Sequence, residues 1–510
     1  MSSRIVDTPD PVKVGHTGLV ILDGIGLGVA DVVRLADGSA RPVPGTEATK
    51  RVTESWDAAR QIAATGRVYG RSTGVGANRN EDVPTEAAAE HGLRLLRSHA
   101  GAIGEELPAR QVRAMLAVRA NQLLAGGAGL RPTVVTALCE ALESGAYPVV
   151  NEFGSVGTGD IAALAQAGLA LAGEHPWRGA DGAAGRAPEP QLLDNNDALA
   201  FISSNALTLG QAALALHELR GLIEATQVVG ALSLLAVDGS HEAYAAPVHA
   251  ARPHRGSVEV ARRMRELIGA EDRPTPPLGR IQDPYGFRCL PQIHGPAQDA
   301  ADTLEEVLAI EINAAAENPL ISPQDMAAYH HGGFYQAQLA LALDHFRLAL
   351  TQVARLSTSR LSTLNEPAFT RLRPFLADQE PASSGVMILE YAAGAALGDL
   401  RAFSAPASLG HAVLSRGVEE QASFASLAAR QTLRACGAYR LVVGCELVAA
   451  VRALRQRDLR PDPDLPVGRA LELAEAVLEE DSADRPLTGD VTAAAALLDR
   501  FTDIWRGSEA

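Results

Sequence analysis

Tyrosine and arginine side chains that can bind a carboxylate lie together in the segment 282–292, which reads Gln-Asp-Pro-Tyr-Gly-Phe-Arg-Cys-Leu-Pro-Gln. Tyr285 and Arg288 are three residues apart, so both side chains share one face of a helix or turn. A guanidinium binds a carboxylate through two parallel hydrogen bonds. The segment therefore predicts a carboxylate site beside a phenol, although a turn held by a structural salt bridge would give the same pattern.

Two glycine-rich segments, 69–76 and 154–160, are the next candidates for chemistry. The first reads Tyr-Gly-Arg-Ser-Thr-Gly-Val-Gly and the second Gly-Ser-Val-Gly-Thr-Gly-Asp. Neither ends in the Gly-Lys-Ser/Thr of a P-loop, and neither lies in a strand–turn–helix pattern. Because glycine also serves turns that need a positive φ, tight turns are the simpler interpretation, and a nucleotide site is disfavoured.

The histidines do not predict a metal site. His249 with His254, and His330 with His331, have no carboxylate or cysteine at a ligand spacing, and no His-Glu-x-x-His occurs. A Gly-x-Ser-x-Gly elbow is also missing, so a Ser–His–Asp hydrolase is not supported. We therefore predict no metal and interpret these histidines as core or solvated residues.

Taken together, the motifs resemble the histidine and aromatic amino acid ammonia-lyase family over nearly the whole chain. The segment 69–76 matches Y-G-x-N-T-G-F-G, with Arg71-Ser72 and Val75 as departures from that pattern. The other matching segments are 95–104 (S-H-A-x-G-x-G), 282–292 (V-Q-D-P-Y-S-L-R-C-x-P-Q), 313–320 (E-x-N-x-x-x-D-N-P-L), 384–387 and 484–487. The resemblance rests on the order and spacing of these segments, because no single one is decisive.

The resemblance implies a role for each matching residue. Tyr69 matches the family's tyrosine that takes the β-proton, a role that needs a lowered phenol pKa. Arg288 matches the arginine that binds the substrate carboxylate. Tyr285 and Gln282 lie beside that arginine, and His99 and Glu420 fall where histidine-specific members hold the substrate side chain. The remaining residues that the resemblance places in the substrate site are Asn313, Phe334 and Ser203.

The family's own electrophile is the point of departure. In the family, Ala-Ser-Gly within G-S-V-G-A-S-G-D cyclises to methylidene-imidazolone (MIO). Here the segment is one residue shorter and reads Gly157-Thr158-Gly159, without the serine. Cyclisation would leave a hindered ethylidene on Thr158, next to Gly159, so a self-made MIO-like group is disfavoured, and no added cofactor is expected.

The electrophile's support also departs from the pattern. In the family this segment reads E-G-L-A-L-L-N-G-T, and its asparagine supports the electrophile. Here the segment reads Asp197-Ala-Leu-Ala-Phe-Ile-Ser-Ser-Asn, so Ser203 stands at the position of that asparagine and Asn205 lies two residues later. Each residue of shift along a helix turns the side chain by ~100°, so Asn205 would face another direction. Family G-G-N-F-H is compressed to Gly332-Gly-Phe-Tyr335, which places Phe334 in the site.

The pattern of retained and lost residues predicts an enzyme of this family that acts on a histidine-like or aromatic L-α-amino acid. The reaction is elimination or addition at the Cα–Cβ bond, a carbon–nitrogen lyase reaction whose leaving group is open. Two alternatives stay open: an MIO-free cyclase, isomerase or lyase of specialised metabolism with another leaving group, and a non-catalytic amino-acid-binding paralogue.

Composition is consistent with this class. The 510 residues carry a formal net charge of −16, which disfavours nucleic acid as a partner. Residues 1–13 lack the apolar stretch of a secretory signal. Charged residues within 209–237 argue against a membrane span. The spacing of the four cysteines suggests buried, reduced thiols. We expect a cytoplasmic protein, and the resemblance and its apolar helices imply a homotetramer.

The elements that must position these residues are mostly helices. Apolar residues recur every three or four positions, and we expect a mainly α fold, an elongated central helical bundle with a small loop-rich α+β N-terminal head. The predicted regions are 1–200, carrying Tyr69 and 154–160, the bundle 201–460, and a C-terminal helical piece 461–510. The predicted helices are 109–126, 132–145, 208–237, 296–316, 335–361, 384–403 and 419–457.

Overall fold

The computed structural model describes residues 18–179, 186–274 and 280–506. Residues 1–13, where no secretory signal was expected, lie outside the described residues. The described chain is mainly α, as predicted. The α-helices in chain order are α1 (Val29–Ala36), α2 (Thr46–Thr65), α3 (Ala88–His99), α4 (Ala109–Leu124), α5 (Pro132–Ser144), α6 (Ile161–Leu171), α7 (Ala198–Ile202), α8 (Ala206–Ala236), α9 (Ala246–Ala250), α10 (Arg255–Ile268), α11 (Tyr285–Arg288), α12 (Leu290–Glu311), α13 (Ala337–Leu364), α14 (Pro367–Thr370), α15 (Ile388–Phe403), α16 (Ala425–Gln456), α17 (Pro466–Glu475) and α18 (Thr488–Arg506).

The strands of the described chain are short and pair two by two. One pair is parallel, β1 (Gly18–Leu22) with β2 (Ala40–Pro44), in the register Gly18↔Ala40. The antiparallel pairs are β3 (Ile103–Glu106) with β5 (Asn151–Phe153), β4 (Tyr147–Pro148) with β6 (Trp177–Arg178), and β7 (Leu320–Ser322) with β8 (Ala327–Tyr329). Most strands therefore lie in the first 200 residues, where a small α+β region was expected.

By their internal contacts, the residues divide into two compact units, each built from three stretches of chain. Unit 1 contains Met1–His217, Glu305–Leu343 and Pro406–Arg430, and unit 2 contains Glu218–Leu304, Asp344–Ala405 and Gln431–Ala510. This grouping differs from the sequence-based division at residues 200 and 460, which stays a prediction.

The predicted bounds of α12 and α16 differ most from the structure. The helix expected from Pro296 begins at Leu290, and α12 ends at Glu311 rather than 316, where Asn313 donates from Nδ2 to the Ala309 carbonyl at 2.8 Å. The helix expected from 419 begins only at Ala425, because Phe424 has a φ of 53° and donates its N–H to Val156 O at 2.9 Å. Positive φ is incompatible with a right-handed helix.

One helical stretch of the described chain, Ala198–Ala236, is long and apolar enough to cross a membrane, and 94% of its most apolar window is buried in the protein. Burial of this kind is typical of a core helix that is apolar around its circumference. The four cysteines are free thiols. Three of them are buried, whereas Cys289 is only half-buried.

Candidate active site

The loop 154–160 connects β5 to α6 through a tight turn in unit 1, so it does lie between a strand and a helix, contrary to the sequence-based expectation. Gly157 and Gly159 have φ values of +88° and +123°, a region that favours glycine. The Ser155 hydroxyl donates to Gly159 O at 3.0 Å and accepts the Gly157 N–H at 3.1 Å, so it closes the turn. The turn conformation is thus fixed by two glycines and one hydroxyl.

The chain following residue 422 packs directly against this loop. Ser423 donates its hydroxyl to Gly157 O at 2.8 Å, and the Phe424 N–H donates to Val156 O at 2.9 Å. A Cβ added at position 157 would lie 2.2 Å from Ser423 Oγ and 2.8 Å from Phe424 N. The loop as folded therefore has no room for the alanine of an Ala-Ser-Gly tripeptide. Without that alanine and without the serine, the segment does not fit an MIO precursor.

Thr158 faces a carboxylate. Its hydroxyl donates to Oε2 of Glu419 at 3.2 Å, and the Glu419 side chain is half-buried. Glu420, on which the sequence pattern placed the acidic role, is exposed. The acidic side chain that the structure brings to Thr158 is thus Glu419, which sequence reasoning missed. The pair Glu419-Glu420 was a signal, but a motif alignment cannot say which of two adjacent carboxylates turns inward.

Tyr69 lies in the same unit, half-buried at the start of the segment 69–76. Its phenol oxygen accepts the Gly76 N–H at 2.8 Å, and its ring meets His330 edge-on with centroids 6.3 Å apart. Burial raises the pKa of Tyr69, and the charge of Glu419 adds to that rise, whereas the Gly76 N–H and Arg79 act to lower it. The lowered pKa that a tyrosine base needs is therefore opposed by burial and supported by one backbone donor.

Asp160 joins the loop to α8. Its carboxylate is buried and accepts both the N–H and the hydroxyl of Thr208, at 2.7 and 2.9 Å. Its own N–H donates to Ser204 O at 2.7 Å. Burial raises the pKa of Asp160, while the two hydrogen bonds from Thr208 lower it. Asp160 thus anchors the end of the loop on the first turn of α8.

Near Asp160, the buried side chain with an unused hydrogen-bond acceptor is that of Asn205 rather than Ser203. Asn205 donates from Nδ2 to the Phe334 carbonyl at 2.8 Å, and its buried Oδ1 has no hydrogen-bond partner among the described residues. The Ser203 hydroxyl accepts the Asn318 N–H at 3.0 Å. Phe334 is half-buried and contributes its backbone oxygen here.

Two predicted substrate residues, Asn313 and His99, make hydrogen bonds within the fold. Asn313 donates to the carbonyls of Leu27 and Ala309, and its Oδ1 accepts the N–H of Leu27 and Nδ2 of Asn121. The Asn313 amide therefore uses both of its N–H donors within the fold, and its assignment to substrate binding stays a prediction. His99 contacts the Leu95 carbonyl of its own helix through Nδ1 at 2.9 Å.

The predicted carboxylate site lies in unit 2, around α11. Arg288 donates from Nε to the Asp283 carbonyl at 2.6 Å, and its guanidinium lies 4.5 Å from the centre of the exposed Tyr285 ring. The Tyr244 hydroxyl donates to Phe287 O at 3.0 Å and so supports the turn. Gln282 is exposed. The predicted pairing of Tyr285 with Arg288 on one face is therefore observed.

The structure thus brings Tyr69, Thr158 and Glu419 together in unit 1, with Gly159 in the adjoining turn, and pairs Tyr285 with Arg288 in unit 2. No group of three or more histidine, cysteine or acidic side chains is arranged for a metal ion within the described ranges.

The chain has clear relatives. The profile of the family described as aromatic amino acid lyase matches residues 27–479. Histidine ammonia-lyase of Geobacillus kaustophilus (strain HTA426) is 34% identical over 450 residues, which cover 86% of this chain and 89% of that protein. The chain therefore belongs to the aromatic amino acid lyase family. Its class is that of a carbon–nitrogen lyase.

Two solved structures share the fold. Histidine ammonia-lyase from Trypanosoma cruzi superposes with a TM-score of 0.88 and 27% identity, over 97% of this chain and 95% of that one. The ergothioneine-degrading enzyme ergothionase from Treponema denticola, solved with desmethyl-ergothioneine sulfonic acid, has a TM-score of 0.88 and 26% identity, over 95% and 99% of the two chains.

Proposed function

We propose that this enzyme eliminates a cationic, fully alkylated α-nitrogen from a histidine-like substrate, without an MIO group. The observation that carries the proposal is the Glu419 carboxylate, hydrogen-bonded to Thr158 where the family pattern places the electrophile. An electrophile captures the lone pair of a free amine. A carboxylate instead attracts a cation, so the polarity of the site favours a quaternary ammonium.

A quaternary nitrogen removes the need for an electrophile. It has no lone pair with which to add to one, and it already departs as a neutral amine. Ergothioneine, the compound that the Treponema denticola relative degrades, is a histidine-derived betaine of this class. The missing serine and the crowded Gly157 are then consequences of a chemistry that no longer uses MIO.

The elimination needs one base. Tyr69, as phenolate, takes the β-proton, the C–H electron pair becomes the Cα=Cβ bond, and the C–N pair leaves with the nitrogen as a neutral tertiary amine. The Gly76 N–H, 2.8 Å from the phenol oxygen, stabilises the phenolate. Because burial raises the pKa of Tyr69, we expect kcat/KM to increase with pH into the alkaline range.

The substrate carboxylate and side chain are assigned by resemblance. Arg288 binds the carboxylate with Tyr285 and Gln282 beside it, and His99 lies on the side-chain site, while Ser203 and Phe334 line the site near Asn205. Family active sites are completed by loops of several chains, so we propose a homotetramer, in keeping with exposed apolar side chains such as Ile388 and Tyr391 on α15. A cytoplasmic location is part of the same proposal.

The experiment compares three substrates with the purified enzyme: histidine, its Nα-trimethyl betaine and ergothioneine. We expect alkene absorbance and free trimethylamine from the betaines and no urocanate from histidine. The intact mass should equal that of the encoded chain, because cyclisation would remove water. Turnover of histidine together with a mass deficit of water would overturn the proposal.

A binding protein without catalysis is the second candidate. The observation that favours it is the burial of the Tyr69 phenol, which raises its pKa and disfavours the phenolate. Calorimetric binding of the betaines with no product at alkaline pH would select this alternative.

A further inference from the structure

Two turns of unit 1 meet beside Tyr69, and each brings a charged residue. We propose that Arg79 and Glu419 set the protonation state of Tyr69 in opposite directions, and that Ser415 is the positioning residue that docks their two turns. The inference rests on Tyr69 being the base of the proposed function. It adds the regulation of that base by Arg79, Glu419 and Ser415.

The first turn, residues 76–79, presents the backbone donor to Tyr69. Gly76 donates its N–H to the phenol oxygen, and the Arg79 guanidinium donates from Nη1 to the Gly76 carbonyl at 3.3 Å. Arg79 therefore holds the peptide next to the one that contacts Tyr69. Its positive charge lies on the same turn and favours the phenolate.

The second turn, residues 414–419, is held in a strained conformation. Ser415 and Arg416 have φ values of 52° and 58°, and the Leu414 N–H donates to Glu419 O at 2.8 Å. Positive φ at residues other than glycine persists only where surrounding contacts enforce it. This turn ends at Glu419, so its conformation decides where that carboxylate lies.

Ser415 joins the two turns. Its hydroxyl accepts the Ala77 N–H at 3.1 Å, and a Cβ at Gly76 would lie 2.6 Å from Ser415 Oγ. The approach is thus close enough to require glycine at position 76, which has a φ of +55°. No hydrogen bond joins Ser415 to Tyr69 among the described residues, so Ser415 acts through the turns that it docks.

The charges around Tyr69 oppose one another. Glu419 disfavours the phenolate and Arg79 favours it, while His330 meets the ring edge-on. Glu419 is half-buried whereas Arg79 is exposed, so solvent screens the arginine more strongly. We therefore expect the carboxylate to have the larger effect of the two.

The test titrates Tyr69 directly and needs no substrate. Fluorotyrosine is incorporated into the full chain, and the resonance of Tyr69, one of eight tyrosines, is assigned by its loss in Tyr69→Phe. Fluorination lowers the phenol pKa, so the titration ends before alkaline unfolding. We expect Glu419→Gln to lower the midpoint by about half a pH unit and Arg79→Gln to raise it by a smaller amount.

Two further variants separate the effect of the charges on Tyr69 from the effect of the contact between the two turns. Arg67→Gln removes another exposed arginine of the same segment, which pairs with Asp82 at 2.7 Å, and should leave the midpoint unchanged. In a Ser415→Ala background, Glu419→Gln should shift the midpoint less than it does in the wild type. Shifts of Arg79→Gln and Glu419→Gln in the same direction, or none beyond that of Arg67→Gln, would overturn the inference. Opposite shifts in a protein that turns over no betaine would instead contradict only the proposed function.

Discussion

The hydroxyl of Thr158 and the carboxylate of Glu419 form a hydrogen bond of 3.2 Å between residues 261 positions apart in the chain. In the proposed function, no electrophile captures a free amine at this position. A carboxylate attracts a cation, and its place beside Thr158 is the reason for proposing a cationic leaving group.

Substitution of the two adjacent glutamates distinguishes the structural assignment from the one based on sequence pattern. Glu419→Gln removes the charge next to Thr158 and should lower kcat/KM for a betaine by about a hundredfold, the scale of one charge stabilisation in a site shielded from water. Glu420→Gln changes an exposed carboxylate and should have a much smaller effect. A larger loss for Glu420→Gln would restore the original assignment.

Gly157→Ala should destabilise the protein by about 2 kcal/mol or more, because a Cβ meets Ser423 Oγ and the residue has a positive φ. Urea denaturation measures the loss. Gly66→Ala is the matched control, since a Cβ there has no neighbour within 4 Å, and its effect should stay within about 0.5 kcal/mol. Equal stability of the two variants would mean that the loop relaxes easily.

Thr158→Ser should not produce a histidine ammonia-lyase. The variant supplies a β-hydroxyl that can be eliminated, but the loop stays one residue short of the family pattern and Gly157 stays crowded by Ser423. A displacement of ~1 Å costs about a hundredfold in rate. Urocanate formation is the assay, and a rebuilt Ala-Ser-Gly loop combined with Ser203→Asn is the variant expected to gain activity. Robust turnover of histidine by Thr158→Ser alone would refute this reasoning.

Arg288→Ala should weaken substrate binding far more than folding. Hydrogen bonds to a charged group contribute about 1.5–3 kcal/mol, so affinity should fall about 10- to 100-fold. The only side-chain hydrogen bond of Arg288 within the described chain runs to Asp283 O in its own turn, so the melting temperature should change little. Calorimetry with a betaine measures the affinity, and an unchanged value would show that the carboxylate binds elsewhere.

Asp197 should make stability depend on pH. Burial and the charge of Asp194 raise its pKa to about 6, above the value near 3.9 of an unfolded aspartate. Between about pH 4 and 6 the folded state holds the proton that the unfolded state has lost, so this group's contribution decreases as pH rises. The free energy of unfolding of wild type relative to Asp197→Asn should therefore fall over that range. A relative increase would contradict the assigned direction.

The helices were the most predictable part of the fold. α4 and α5 follow from apolar residues at three- and four-residue spacing, and Gly145, with a φ of +77°, caps the end of α5. The start of α16 was not predictable in the same way. Residues up to Phe424 have helical composition, but a hydrogen bond to Val156 far away in the chain holds them outside the helix.

The site was predictable as a set of motifs but not as a geometry. Motif order selected Tyr69, Thr158 and Glu420, but a sequence does not say that Glu420 is exposed while Glu419 contacts Thr158. It also assigned Asn313 to the substrate and gave no sign that the amide binds Leu27, a partner 286 residues away. Such long-range hydrogen bonds have no local signature.

Unit 1 is built from three separate stretches of the chain, and this has a consequence for its synthesis on the ribosome. The loop 154–160 emerges long before Glu419, Ser423 and Phe424, which fix its conformation. At about 5–20 residues per second, the 261 positions between Thr158 and Glu419 correspond to a delay of roughly 13–52 s. Throughout that interval the nascent chain carries the tyrosine and threonine of the site without the segment that closes it, so the site can form only after residues 406–430 have left the exit tunnel.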